Sequence, residues 1–444
     1  MNGISQDYKG IEKYISGLIW GYGCFVHRQF VRGFIFLLSE ILIIRYILVD
    51  GINNLKLLIT LGDEEQQKIW DEAKCVYIYT DGDRSLVILL YGIITIAVIL
   101  LGIAILKMSV TNAVENGKLI RQGKDIPGIK EDIRQLFDHN LHKTLLTIPV
   151  LGVVVFTILP LIFMMCMAFT DYSVIDNKLV LFDWVGLKNF KALLTLSEGI
   201  GSAFWSVLTW TLVWAFVATF SNYFLGMFLA ILINWKKIVA KKFWRFCFVL
   251  TVAVPHFVTL LIIRQMLQPE GAVNILLRNL GFIGSTQSLP FFTDSLWAKI
   301  TVIIINIWVG VPYTLLQITG ILQNIPAELY EAAKIDGAGP LVTFRKITLP
   351  YMFFVTTSYL ITTFTGNVNN FNVIFLTTGG APRSLGQTAG KTDLLVTWLY
   401  KLTIDNEYYN VGAVIGISTF ITLAIVSLLT FNISRSNRDE EGFR

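Results

Sequence analysis

The chain has 444 residues, of which 54% are hydrophobic and only 15% are charged, and its mean hydropathy is +0.62. Soluble globular domains carry about a quarter charged residues, so this composition excludes an ordinary soluble protein and indicates a membrane protein. The formal net charge is +5. Because the basic residues lie mainly between apolar stretches, where they orient a chain in a bilayer, we expect no nucleic-acid partner.

Eight stretches are long and apolar enough to cross a bilayer, since a crossing helix needs about 20 mainly apolar residues. The first is the weakest because it carries Glu40 and Arg45. A charged residue at membrane depth is a candidate for function, and the alternative for Glu40 is a structural pairing or a position that faces the helix bundle. The predicted crossings are residues 32–49, 86–106, 145–169, 203–233, 246–267, 300–322, 351–376 and 411–431.

The distribution of lysine and arginine predicts the orientation of the chain. Basic residues collect at the N-terminus, in the loops that follow crossings two, four and six, and in the C-terminal tail, whereas the first loop on the other side is rich in aspartate and glutamate. Basic loops stay in the cytoplasm, so we expect both termini to be cytoplasmic.

Two segments outside the crossings have a predicted structure. The glycine-rich and aromatic residues 17–30 predict a short hairpin or an amphipathic piece at the cytoplasmic interface. The basic linker 118–143 is broken by Pro127 and Gly128, and it predicts a short surface helix around residues 130–138.

The predicted cytoplasmic loop between crossings six and seven has a regular arrangement of proline and glycine. Pro326 suits the first turn of a helix, and Asp336 with Gly337 suits the turn that ends it. Pro340 can open a second short helix, which Pro350 would stop before the next crossing. The loop therefore predicts two short helices joined by a tight corner, which a soluble partner could push as a unit.

This loop resembles the EAA loop of the permease subunits of ABC importers at Glu331, Ala332, Ala333, Asp336, Gly337, Ala338, Phe344, Ile347, Leu349 and Pro350. The resemblance implies an all-α polytopic protein with the type I ABC importer permease fold. It also implies that the loop is a coupling helix that docks on an ATP-binding subunit. We then expect Glu331 to anchor in a cleft of that subunit and Gly337 to permit the corner. ATP and Mg²⁺ would bind to the partner, with no cofactor in this chain.

Further segments are similar to the larger, eight-helix permease subunit of maltose/maltodextrin importers. They are residues 182–190, 306–313, 367–371, 378–382 and 392–396. This resemblance implies import of an oligosaccharide, together with a second permease subunit, two copies of an ATP-binding subunit and an extracellular solute-binding protein. It divides the chain into an N-terminal part (1–140), a permease core of six crossings (141–435) and a cytoplasmic tail (436–444).

One departure from the enterobacterial form of that subunit concerns the region between crossings three and four. The enterobacterial form has a large folded insert there, whereas here only residues 170–202 fill the gap. The difference suggests a cell with a single membrane, of the Gram-positive type.

A pocket for a sugar needs amide and hydroxyl groups and an aromatic surface. The resemblance assigns Asn367 and Asn370 to sugar binding, on one face of the seventh helix, with Gly310, Tyr313 and Thr363 alongside. The alternative for the asparagines is hydrogen bonding between helices, which also stabilises membrane bundles.

Other classes of function remain as alternatives. The nearest is an ABC importer permease for another glycan or a polyol. An ion-coupled secondary transporter would normally carry paired carboxylates inside its helices, and here only Glu40 qualifies. Residues 386–392 resemble a phosphate-binding loop, but three residues separate the two glycines where that motif has four. We therefore expect no ATPase in this chain. We also expect no metal site, because the four cysteines are widely scattered and His139 and His142 have no further Cys or His nearby.

Overall fold

The structure is a computed structural model, and it describes residues 13–72, 74–79, 82–174, 178–195, 200–235 and 238–433. The chain forms two compact units, residues 1–187 and 188–444, which we describe separately. This division differs from the predicted boundary at 140/141, because helix Leu159–Met167 packs against helix Ser85–Arg121 of the first unit. The predicted domain limits stay a prediction, and the tail 436–444 lies outside the described residues.

The first unit is built on long apolar helices. A helical rod over residues 30–60 and helix Ser85–Arg121 pack along each other, and the predicted surface helix around 130–138 is present at Ile129–Phe137. The helices, with two π-helical turns, are Tyr22–Val26, Phe30–Tyr46, Ile47–Gly51, Ile52–Thr60, Ser85–Arg121, Ile129–Phe137, Leu141–Val153, Val154–Ile158 and Leu159–Met167.

The residues before Phe30 are bound to the helices of the first unit rather than resting only at a membrane surface. Glu40 accepts a hydrogen bond of 2.8 Å from the backbone N–H of Trp20, and Ser109 Oγ accepts one of 2.8 Å from the N–H of Gly21. Glu40 is buried. The structure thus gives Glu40 a structural pairing, which is the alternative weighed for it.

A β-hairpin that the sequence did not predict follows the 30–60 rod. Strands Lys68–Asp71 and Val76–Tyr79 pair antiparallel, with Trp70 opposite Tyr77 and Lys68 opposite Tyr79. The fold is therefore helical apart from this hairpin in the part of the chain that the structure describes.

The second unit is a helical bundle whose core lies between three helices, Ile200–Asn234, Ser295–Gln323 and Leu349–Val368. A Cβ on Gly226 would lie 2.8 Å from Cβ of Thr314, so the small residue allows the first two helices to approach closely. The helical segments are Lys188–Leu194, Ile200–Asn234, Lys241–Ala253, His256–Met266, Ala272–Asn279, Ser295–Gln323, Ala327–Ile335, Pro340–Thr343, Phe344–Thr348, Leu349–Val368, Phe371–Thr377, Leu395–Tyr400, Lys401–Asp405 and Tyr409–Ile433.

Six helices of the described chain are long and apolar enough to cross a membrane, or seven if one bent pair counts as a single span. The bent pair is the fifth predicted crossing, where Lys241–Ala253 and His256–Met266 meet at 88°. Pro255 causes the break, because the residue before a proline is driven out of the helical region. The first predicted crossing carries three charges between Arg32 and Arg45, and the count of eight is not confirmed.

Hydrogen bonds hold the loop that resembles a phosphate-binding motif against neighbouring residues. The N–H of Gly390 donates to the carboxylate of Asp393 at 2.7 Å, and the hydroxyl of Thr392 donates to the carbonyl of Ala381 at 2.7 Å. Asp393 is fully buried and forms an ion pair of 2.7 Å with Lys401. These contacts give the segment a structural role in this part of the fold.

Candidate coupling corner and sugar pathway

The corner predicted around Gly337 is present. Helix Ala327–Ile335 begins after Pro326 and ends at Asp336. Gly337 has a φ of +75°, and its N–H donates to the carbonyl of Lys334 at 3.2 Å, while the N–H of Ala338 donates to that of Ala333 at 2.8 Å. This pair of bonds is the Schellman motif, which needs a left-handed residue at the position of Gly337.

The second half of the corner differs from the prediction. Pro340 does open a helix, Pro340–Thr343, but that helix does not stop at Pro350. It continues through the π-helical turn Phe344–Thr348 into Leu349–Val368. Pro350 has no backbone N–H to donate, and the wider turn before it leaves room for the proline ring. The second half of the corner and the seventh predicted crossing are thus one continuous rod over residues 340–368.

Buried contacts fix the short helix against its neighbours. The hydroxyls of Tyr330 and Thr348 lie 3.1 Å apart and share a hydrogen bond. Ile325 and Ala333 are buried, and Ile325 belongs to the core cluster that contains Leu315 and Met352. The short helix is therefore packed against the two long helices that flank it.

The outer side of the corner is exposed. The side chains of Ile335 and Leu341 are 86% and 78% exposed, which is unusual for large apolar residues unless a partner covers them. Glu331 is exposed and has no ion pair or hydrogen bond of its side chain within the described part of the chain. Of the other assigned residues, Ala332, Asp336 and Gly337 are exposed, Ala338 is half-buried and Ala333 is buried.

One of the five residues assigned to the sugar, Tyr313, lines a cleft of the described part of the second unit. This cleft has a volume of about 200 Å³ and combines aromatic rings, hydroxyls and an imidazole: it is lined by Thr251, Val254, His256, Thr259, Trp308, Val309, Pro312 and Tyr313. The break at Pro255 opens it, since helix His256–Met266 turns away from Lys241–Ala253 there. Rings and hydroxyls together are what a sugar surface requires.

Gly310 meets an asparagine that the sequence reading missed. A Cβ on Gly310 would lie 2.3 Å from Nδ2 of Asn222, so glycine is needed there for the asparagine to fit. The side chains of Asn222 and Asn306 are buried, and Oδ1 of Asn222 and Nδ2 of Asn306 lack a hydrogen-bond partner. Asn306 precedes Gly310 by one helical turn. Two unpaired amides, one acceptor and one donor, therefore lie on neighbouring helices.

Asn367 and Asn370 have different roles in the structure. Nδ2 of Asn367 donates to the hydroxyl of Thr219 at 2.9 Å. The backbone carbonyl of Asn367 accepts a hydrogen bond from Nε1 of Trp214 at 3.1 Å. The helix ends at Val368, and Oδ1 of Asn370 accepts from the N–H of Val373 as the cap of the next helix. The expectation that both asparagines share one helical face is therefore wrong. Thr363 is half-buried on the same helix.

Helix Ile200–Asn234 joins these positions. Thr219 binds Asn367, and Asn222, which lies three residues later on the same face, packs on Gly310. The fourth predicted crossing carried no assigned site residue, and the signal available in the sequence was the pair of polar residues three apart in an apolar helix. Three helices thus contribute buried polar side chains, which we call the polar line: Asn306, Asn222, Thr219 and Asn367. Two of these helices, Ser295–Gln323 and Leu349–Val368, flank the corner.

The arrangement is that of a multi-pass helical membrane permease, with a polar line inside the bundle and an exposed corner at one end of the helices that hold it. Residues 222–438 match the family described as binding-protein-dependent transport system inner membrane component. The galactooligosaccharide permease protein GanP of Bacillus subtilis is 34% identical over 431 residues, which cover 95% of this chain and 97% of the relative.

The maltodextrin permease protein MalC of Streptococcus pneumoniae is also 34% identical, over 97% of this chain and 98% of the relative. The maltose/maltodextrin permease protein MalF of Escherichia coli is 35% identical over 57% of this chain and 50% of its own length. A solved bacterial ABC transporter for alginate has the same fold, with a TM-score of 0.56, 21% identity, and coverage of 69% of this chain and 98% of that one.

This chain therefore belongs to the permease subunits of binding-protein-dependent ABC importers, within the group that contains the sugar permeases of the maltose type. It is a transport subunit of the membrane.

Proposed function

We propose that this chain forms half of a pathway for an oligosaccharide of the maltose/maltodextrin type through the plasma membrane of a bacterium with a single membrane. Both termini lie in the cytoplasm. The observation that carries this proposal is the position of the exposed corner between helices Ser295–Gln323 and Leu349–Val368, which hold Gly310, Tyr313 and Asn367.

The rod over residues 340–368 makes the corner a lever. At 1.5 Å per residue it is roughly 40 Å long, more than the hydrocarbon core of a bilayer. A partner that binds Leu341 at one end of the rod, together with Glu331 and Ile335 on the short helix before it, displaces Asn367 near the opposite end of the rod. Coupling requires that the corner makes different contacts in the two states of the partner, so that ATP binding favours one of them.

The unpaired amides supply groups that a sugar can satisfy. A buried polar group without a partner loses about 1–3 kcal/mol. Oδ1 of Asn222 can accept from a sugar hydroxyl, and Nδ2 of Asn306 can donate to one. Tyr313 and Trp308 of the cleft offer ring surfaces. The side chain of Asn367 is bonded to another helix in this state. Asn370 and Thr363 are assigned to the sugar on the family resemblance alone.

The proposal requires several partners. They are a second permease subunit that completes the pathway, two copies of an ATP-binding subunit that hold ATP and Mg²⁺ and hydrolyse the nucleotide, and an extracellular solute-binding protein that delivers the sugar. This chain itself holds no cofactor and performs no covalent chemistry.

A second candidate substrate is a galactooligosaccharide. The permease of Bacillus subtilis for that substrate is as similar to this chain as the maltodextrin permease of Streptococcus pneumoniae. Competition between the two unlabelled sugars against labelled maltodextrin uptake decides between them, since the true substrate competes at the lower concentration.

The experiment that tests the function is uptake of labelled maltodextrin by the complete importer in proteoliposomes with ATP inside. Glu331→Ala should reduce uptake and sugar-stimulated ATP hydrolysis by roughly tenfold or more, because an anchoring carboxylate at an interface is worth about 1.5–3 kcal/mol. Glu328→Ala, on the same helix and equally exposed, is the matched control. Uptake without an ATP-binding subunit, or unchanged uptake with Glu331→Ala, contradicts the proposal.

A further inference from the structure

The hairpin of the first unit presents aromatic rings to its surroundings. Residues paired across strands share a face, and so do residues two apart in one strand. Trp70, Tyr77 and Tyr79 therefore lie on one face together with Lys68, and these three rings are 47%, 58% and 62% exposed. Two-stranded hairpins are marginal in water by themselves, so a partner surface for this face is expected.

The base of the hairpin is held firmly. The carboxylate of Asp83 accepts from the N–H of Asp63 at 3.0 Å and from that of Glu64 at 3.1 Å, while the N–H of Asp83 donates back to the carbonyl of Glu64 at 2.8 Å. Leu61, at the end of the rod, is fully buried. The rings are therefore presented from a fixed base rather than from a loose loop.

Two occupants fit this face poorly. A sugar stacks on an open ring face, but the ammonium of Lys68 lies 4.5 Å from the ring centre of Tyr77, and the rings of Trp70 and Tyr77 meet edge to face at 69°. An anionic lipid surface attracts basic segments, whereas Asp63, Glu64 and Glu65 at the base are exposed acids. Tryptophan and tyrosine are instead the residues that dominate binding between proteins.

We propose that this aromatic face docks the extracellular solute-binding protein. The matching surface of that protein would be an apolar patch with a basic rim, and the rim would complement the acidic base of the hairpin. The inference rests on the proposed function and on the outward position of the loop between the first two predicted crossings. Docking here raises the affinity of the encounter and leaves the transport step itself unchanged, because the hairpin lies outside the helices that hold the polar line.

The test uses the complete importer in proteoliposomes and the purified solute-binding protein of the same transport system. The double variant Trp70→Ala/Tyr77→Ala should raise the concentration of solute-binding protein that gives half-maximal ATP hydrolysis by roughly tenfold. The maximal rate at saturating solute-binding protein should stay unchanged. Ile78→Ala, on the opposite face of the same hairpin, is the matched control and should shift that concentration less than twofold.

A second measurement covers a hairpin that fails to fold. Tyr79→Cys, labelled with a photoactivatable crosslinker, should form a covalent product with the solute-binding protein that 0.5 M salt diminishes, because salt screens the acidic base. Crosslinks only to the second permease subunit or to lipid overturn the proposal, as does an unchanged half-maximal concentration in the double variant. If the unmodified importer takes up no maltodextrin, the proposed function fails instead, and the crosslink to the solute-binding protein still tests the docking.

Discussion

The corner around Gly337 and the hairpin around Trp70 both expose large apolar side chains, but they are attached to the protein in different ways. The corner lies between two long helices of one bundle, Ser295–Gln323 and Leu349–Val368, and its second half continues directly into the latter. The hairpin is tied to its unit at its base, through Asp83 and the buried Leu61. An exposed apolar surface can therefore serve two purposes: one that continues into a long helix can transmit motion, whereas one tied only at its base can bind a partner.

This comparison predicts that equal damage to the two surfaces has unequal results. Ile335→Asp places a charge on the exposed tip of the corner, where it cannot harm folding because the side chain is 86% exposed. It should reduce maltodextrin uptake by roughly thirtyfold, which corresponds to about 2 kcal/mol for a central interface residue. The uptake rate is measured in proteoliposomes at a saturating concentration of the solute-binding protein.

The matched variant on the hairpin is Tyr79→Asp, which should leave that saturated rate unchanged. If both variants lower the saturated rate equally, the two surfaces do not differ as proposed.

An intermediate effect is expected inside the pathway. Asn306→Ala removes one donor for sugar, so the sugar concentration for half-maximal uptake should rise by roughly fivefold, the value of a hydrogen bond of about 1 kcal/mol. The same change removes the buried Nδ2 that lacks a partner, so the sugar-free protein should melt at the same or a higher temperature. Uptake titrations and thermal unfolding in detergent measure the two effects.

A control for that variant is Asn367→Ala, which breaks the bond to Thr219 and should lower the melting temperature. A lower melting temperature for Asn306→Ala as well would assign Asn306 to helix packing.

The smallest effect concerns how tightly the corner is held. Tyr330→Phe removes the hydroxyl that bonds Thr348, a loss of about 1 kcal/mol. The corner should then follow the partner less faithfully, so the sugar moved per ATP hydrolysed should fall by roughly twofold while the rate of hydrolysis is kept. Parallel uptake and phosphate-release assays give the ratio, and Tyr351→Phe, on the rod that follows the short helix, is a control. An unchanged ratio would show that helix continuity alone transmits the motion.

Much of this architecture could be predicted from the sequence. Six of the predicted crossings coincide with long apolar helices, since hydrophobic length is a local property. The corner could be predicted because Pro326, Gly337 and Pro340 each restrict the backbone at their own position. The bend at Pro255 was equally local, yet it was missed because the apolar run continues on both sides of it.

The membrane class, the long helices and the corner follow from the sequence, because composition, apolar length and the backbone limits of proline and glycine act within a few residues. The folded chain was needed to see that the rod continues through Pro350. It was also needed to see that Asn222 packs on Gly310 and that Asn367 donates to Thr219. These facts depend on which faces of distant helices meet, and a buried amide reveals its role only when its partner, or the lack of one, is known.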